Sequence, residues 1–443
     1  LRWERVVGEA FSLDYCWARC RAATSPEARN VQTVDDRDPR VARGASIAIP
    51  FLGVLAALQM TAVGINSDAL SWSTSGLNVA GIGTPSAISL VSVAAAATVV
   101  SAGLLADRIG RRRVLIAGLL MGAVGCALAA LTSTAMTHLT AQVLAGIGFG
   151  AVFGAAFAYV HTVASAARLA ADLGIFGAAI GVASLTFSFA AEALPANDGR
   201  AGFLVVVAAS IVCAVLVPSV LPDVPVVRGA PSDWIGQGLL AVGIASFLVG
   251  LSHVGMGSSS LVAWISIVLG LTLLLGFYVF ESNSPNAFFP TDLFESARFM
   301  AAVLAGLIYS FGFAAAIVAG RSLWQFMGAD STTDLPLWQL PLVLAMLIGA
   351  VVTGRMMSHD TAVRGALFVG SILTALGLVA LAAASRESSF IACLPGLVLV
   401  GAGTGGMSIP FGYLIIRVAP STAFGPVTGT RVALGEFGYA IGV

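Results

Sequence analysis

From Ser46 onward the chain is a succession of apolar runs separated by short polar breaks. The runs fall at 46–67, 85–106, 114–131, 139–160, 173–194, 201–221, 234–254, 261–280, 299–320, 335–356, 365–384 and 390–415, and a further one opens near Gly425. A hydrocarbon core of about 30 Å takes roughly 20 helical residues to cross. Inside it every backbone N–H and C=O must be paired within its own segment or around a closed barrel. No run alternates apolar and polar residues as a barrel strand would, which leaves helices. Composition agrees, because 58% of residues are hydrophobic and only 10% charged, whereas a soluble domain is about one quarter charged. The expected fold is an all-α polytopic membrane protein. Pro195, Pro222, Pro225, Pro231 and Pro285 punctuate the breaks, and the Gly and Ala inside the runs allow close helix approach.

Residues 1–45 differ from the rest, with eight arginines interleaved with Asp35, Asp36 and Asp38. They are expected to form a polar, disordered tail and are assigned no function. The chain opens on Leu rather than Met, so the expectation is either a fragment or a start placed upstream of the true one. If the N-terminus is cytoplasmic, Arg108, Arg111, Arg112, Arg113, Arg168, Arg228, Arg298, Arg355, Arg364 and Arg417 fall inside, and Arg200, Arg321 and Arg386 outside. That bias is the one the positive-inside rule requires and points to a multi-pass protein of the plasma membrane, in contact with lipid.

Several function classes are disfavoured. The formal net charge is zero, so no nucleic-acid footprint is implied. Cys126, Cys213 and Cys393 lie inside apolar runs and behave as small hydrophobes. Cys16 and Cys20 lack the further ligands of a structural zinc site. Four histidines, at 138, 161, 253 and 359, are too dispersed for a catalytic constellation. No enzyme, metal or cofactor is expected.

The densest charge lies in the break from Gly103 to Leu115, where Asp107, Arg108, Arg111, Arg112 and Arg113 stand with Gly103 and Gly110. These thirteen positions resemble the G-x-L-a-D-r-x-G-r-k-x-x-l signature of the major facilitator superfamily, and they fall after the second run, as in that family. The resemblance implies a secondary transporter that alternates between two states. Asp233 opening run seven, Phe280 and Glu281 closing run eight and the amphipathic 289–294 before run nine are similar to the superfamily's 14-helix drug:proton antiporter branch. That resemblance implies two six-helix bundles with two extra helices between them, here 46–221, 222–285 and 286–443. About thirteen of fourteen spans are present, as in a chain truncated at its C-terminus.

By the same resemblance Gly103, Asp107, Arg108, Gly110, Arg111 and Arg112 form the conformational switch. Asp107 is expected to meet the backbone N–H groups of a helix starting at 424–430, or Arg111. Proton coupling requires an acid inside the membrane. The candidates are Glu436, equally readable as pairing with a polar group across the bundle, and Asp68, near the outer end of its span. Three positions depart from the branch. Run one offers Gln59 and Asn66 where an Asp is usual, run four has Gln142 in place of an Arg, and 177–184 lacks the Pro and glycine pair of the antiporter signature. The candidate cavity residues are Gln59, Asn66, Gln142 and Tyr309, among aromatics such as Phe187 and Phe313. Such a lining suits an amphipathic small organic molecule, carried by a monomer, with export in exchange for protons as the leading reading. An uncoupled facilitator, or a non-transporting sensory or partner-binding relative, stays open.

Overall fold

The computed structural model describes residues 39–68, 84–165, 168–194, 200–223, 233–255, 261–284, 287–326, 335–357, 360–384, 390–420 and 423–442. Among them are thirteen long α-helices and no strand. In order they are α1 Pro39–Asp68, α2 Thr84–Ile109, α3 Arg111–Leu131, α4 Ala135–Val163, α5 Leu169–Glu192, α6 Arg200–Val220, α7 Trp234–Gly255 and α8 Leu261–Asn283. After a 3-10 turn, Thr291–Glu295, come α9 Ala297–Phe326, α10 Leu335–Met356, α11 Asp360–Ala384, α12 Phe390–Val418 and α13 Phe424–Gly442.

Twelve of these helices are long and apolar enough to cross a membrane. All thirteen expected runs are helices, and the last differs from the others in composition. The last helix, α13, is 19 residues long and carries Thr428, Thr430, Arg431 and Glu436, so its mean hydropathy falls short. It nevertheless packs lengthwise between α2 and α9. Apart from Ile441 its residues are buried or half-buried by neighbouring helices, so it need not be uniformly apolar. The first helix also starts earlier than expected, at Pro39, and continues through Pro50. The rest of the expected disordered tail, 1–38, lies outside the described residues.

The break between α2 and α3 is a single residue. Gly110 has φ 102°, a conformation that costs an L side chain its Cβ clearance. Its N–H still closes α2 on Ala106 O at 3.1 Å, while its carbonyl accepts from Arg113 N at 3.1 Å and Val114 N at 3.2 Å. Helix therefore reverses into helix without a loop, and the arginines flank one sharp corner. The next entry is made by Thr134, whose hydroxyl accepts from Thr137 N at 3.3 Å and caps α4.

Helices α1 to α6 pack among themselves, as do α9 to α13. The two groups meet mainly where α2 and α4 touch α13 and where α5 touches α10 and α12. Helix α4 is enclosed almost throughout, whereas α8 is mostly exposed and packs chiefly on α7. The open face of α8 carries Val268, Leu271, Leu275 and Val279, an apolar surface suited to lipid. Helix α7 in turn lies against α2 and α13.

The α7–α8 pair is tied to the segment before α9 by a buried carboxylate. Glu281 is buried, and its Oε1 accepts the Phe289 N–H at 2.7 Å, while Asp233 Oδ1 accepts from Gly236 N at 2.9 Å at the start of α7. Replacing Glu281 with Ala strands the Phe289 donor away from water. The expected cost is about 1–3 kcal/mol, read as a lower melting temperature of the purified protein in detergent, and an unchanged melting point would mean that this tie contributes nothing.

Candidate functional site

Two groups of polar side chains stand out against this apolar scaffold, one at the arginine-rich end of the bundle and one near its middle. At the arginine-rich end, Asp107 leaves the last turn of α2 and is buried. Its Oδ2 accepts the N–H of Gly425 at 2.6 Å, across 318 residues of sequence. Its Oδ1 pairs with Arg111 Nη2 at 3.1 Å. Asp107 thus bonds both a backbone N–H in 424–430 and Arg111. Helix α13 has no acidic residue in its own first turn, so its unpaired N–H groups and positive end are met by a carboxylate from another helix.

Arg111 fixes the other side of that carboxylate. Its Nη1 donates to Ala158 O at 3.0 Å and Thr162 Oγ1 at 2.5 Å, both on α4. Its guanidinium lies 5.2 Å from the ring centroid of Phe424, the first residue of α13. His161 stacks on the same ring at 4.6 Å. Arg112 points elsewhere and ties α3 to α6 through Pro218 O at 2.6 Å, while Arg108 is half-buried on α2. Gly103 and Gly425 make the crossing possible, because their backbones touch: a Cβ built on Gly425 would fall 2.6 Å from Asp107 Oδ2 and nearer still to the Gly103 carbonyl.

Near the middle of the bundle, Gln59 of α1 donates from Nε2 to Glu436 Oε1 at 2.9 Å. The Ser92 hydroxyl of α2 also bonds this carboxylate. Both Gln59 and Glu436 are buried, and Gln59 Oε1 has no hydrogen-bond partner among the described residues. Tyr309 of α9 adjoins the group, with its ring 6.4 Å from that of Phe411 on α12. Arg431, earlier on α13, lies over the rings of Phe153, Phe157 and Phe411. Six helices, α1, α2, α4, α9, α12 and α13, therefore converge on one cluster.

Of the residues expected in a cavity, Gln59 and Tyr309 are in this cluster, joined by Glu436. Gln142 is not seen there: it is buried on α4 and its hydrogen-bond partner is His138, one turn earlier, at 3.3 Å. Asn66 and Asp68 lie in the last turn of α1, and their side chains fall outside the described residues. Ser92 and the rings around Arg431 were not expected, since a lone Ser or Phe in an apolar run carries no signal of its own. A separate cavity of about 190 Å³ lies between the α7–α8 pair and α2, α9 and α13, lined by Leu240, Ile244, Leu274, Phe277 and Phe437 among others. Thr430 is its only polar lining residue, and that hydroxyl is bonded to Val427 O, so the cavity holds little to orient a polar solute.

The profile described as Major Facilitator Superfamily matches residues 45–443. An uncharacterised MFS-type transporter of Mycobacterium tuberculosis is 27% identical over 77% of this chain and 51% of its own length. A multidrug transporter protein of Bacillus subtilis is 23% identical over 69% of this chain and 57% of its own. The chain thus spans little more than half the length of these curated relatives. Among solved structures, that of the human organic anion transporter MFSD10 superposes with TM-score 0.64 at 17% identity, covering 91% of this chain and 92% of that one, a likeness of fold.

Proposed function

The chain belongs to the Major Facilitator Superfamily, and from that premise we propose that it is a secondary transporter that exports an amphipathic small organic molecule by alternating access, in exchange for protons. The observation that carries this reading is the buried hydrogen bond between Gln59 and Glu436. It places a carboxyl with no cationic partner within salt-bridge distance among the described residues where the two helix groups meet. Gln59 suits both protonation states. Its amide nitrogen donates to a carboxylate, and after an amide flip its unpaired oxygen accepts from a carboxylic acid. A proton at Glu436 thereby alters the bond between α1 and α13, which is what coupling needs.

We read α1 to α6 (46–221) and the helices of 286–443 as the two moving halves. The α7–α8 pair (222–285) is then the linking pair of the 14-helix drug:proton antiporter branch, and its exposed outer face fits that place. The switch is formed by Gly103, Asp107, Arg108, Gly110, Arg111 and Arg112, with Asp107 latching the N-terminus of α13 while the cytoplasmic end is shut. The name of the Bacillus subtilis relative supports a drug-like solute. The glutamine at 142, in place of the branch's arginine, favours a second reading, an uncoupled facilitator.

Uptake of fluorescent amphipathic dyes by vesicles reconstituted with the protein, with and without a pH gradient, separates these readings. Accumulation that follows the gradient is expected. Flux that ignores it leaves the facilitator, and no flux leaves a non-transporting relative. Orientation in the plasma membrane is checked independently: a reporter fused after Arg112 is expected in the cytoplasm and one after Ser331 outside, as positive-inside sorting requires. The reverse result would undo the assignment of the latch to the cytoplasmic end.

A further inference from the structure

Arg431 stands five residues before Glu436 on α13 and is not paired with it, the carboxylate being bonded to Gln59 and Ser92. Its guanidinium carbon lies 4.5 Å from the ring centroid of Phe157 and 5.8 Å from that of Phe153, both on α4, and 5.5 Å from that of Phe411 on α12. The cation is thus held by aromatic faces from both helix groups. Its Nε has no hydrogen-bond partner among the described residues, and no carboxylate among them lies within salt-bridge distance of its guanidinium.

A guanidinium taken out of water with neither counter-charge nor acceptor is costly, and ring faces offset only part of that cost. Stacking uses the faces of the guanidinium and leaves its edge, where the N–H donors are, free to bond in the plane. Gly412 of α12 lets the guanidinium pack close on the Nε side, where a Cβ would come within 3.3 Å of Nε. The side chain is only partly buried. The terminal N–H groups of the guanidinium are therefore available to an oxyanion, and the surrounding rings offer an apolar wall beside it.

We propose that Arg431 anchors an anionic group of the transported solute, a carboxylate, sulfonate or phosphate, with the solute's apolar body against Phe153, Phe157 and Phe411. This rests on reading the central cluster as the place where solute binds. It narrows the substrate class from amphipathic molecules in general to amphipathic anions. Charge-assisted pairing at this partly buried guanidinium then separates an anion from its uncharged isostere by about tenfold.

The test uses two fluorescent probes that share one ring system, anilinonaphthalene sulfonate and its uncharged analogue N-phenylnaphthylamine, titrated against purified full chain in nanodiscs. Saturable binding with about tenfold preference for the sulfonate is expected. Arg431→Gln should bring the preference for the sulfonate close to unity, and N-phenylnaphthylamine binding that remains saturable, whatever its affinity, shows that the variant is folded. Arg431→Lys, which retains the charge without the planar fork, should keep part of the preference. Saturable binding of both probes with a ratio that Arg431→Gln does not alter overturns the anion assignment and leaves the solute site standing. No saturable binding of either probe overturns the solute-site reading together with the assignment built on it.

Discussion

Glu436→Gln is expected to reduce gradient-driven accumulation of solute to background while solute counterflow without a gradient survives. The substitution preserves shape and leaves an amide that can still bond Gln59 and Ser92, the two partners of the native carboxylate. What it removes is the ability to take up and release a proton. In an exchanger that ability links the solute step to the pH gradient, so its loss uncouples transport rather than slowing it. Binding and passive exchange depend on the shape of the central cluster and should change by no more than about threefold, the scale of one altered neutral hydrogen bond. The measurement is the ratio of gradient-driven uptake to counterflow in the same vesicles. Undiminished driven uptake would return Glu436 to a purely structural pairing across the bundle.

Asp107→Asn is expected to favour opening at the arginine-rich end. The carboxylate faces the positive end of α13 at 2.6 Å and is buried, the setting in which a charge at a helix terminus contributes up to about 2 kcal/mol. Removing that amount from one side of a two-state equilibrium shifts it by about thirtyfold. Labels on α2 and α13 near this end, read by electron–electron distance measurement, should show the separated population grow by that order. Turnover should slow more than solute binding weakens. Gly425→Ala reaches the same contact by steric means, because its methyl would overlap Asp107 Oδ2 and the Gly103 carbonyl. Since both changes break one contact, the double variant should resemble the stronger single one instead of summing the two. An unchanged distance distribution in both variants would remove the latch from the mechanism.

Much of the architecture could be read from residues alone, for local reasons. A run of about 20 apolar residues has no option in a bilayer but a helix, and charge placed between two such runs must lie at a membrane face. The corner at Gly110 and the neighbourhood of Asp107 and Arg111, four residues apart on one face, are likewise short-range facts. So is the presence of Glu436 inside a helix that must be enclosed to tolerate it.

Partnerships across the bundle were another matter. In soluble proteins polarity tells which face of a helix turns inward, but here lipid and interior are both apolar, and helices associate through small residues and shape. Gln59 and Gln142 look alike as amides in apolar runs. Packing sent one across 377 residues to Glu436 and left the other on His138 of its own helix. The same holds for the rings that surround Arg431, which come from α4 and α12 and are indistinguishable in sequence from any other phenylalanine in a membrane span. Residue types and spacing determined which groups had to be buried. Only the close approach of glycine-lined helices such as α2 and α13 decided which of them meet, because that approach depends on backbone shape over the whole bundle rather than on any periodicity within one helix.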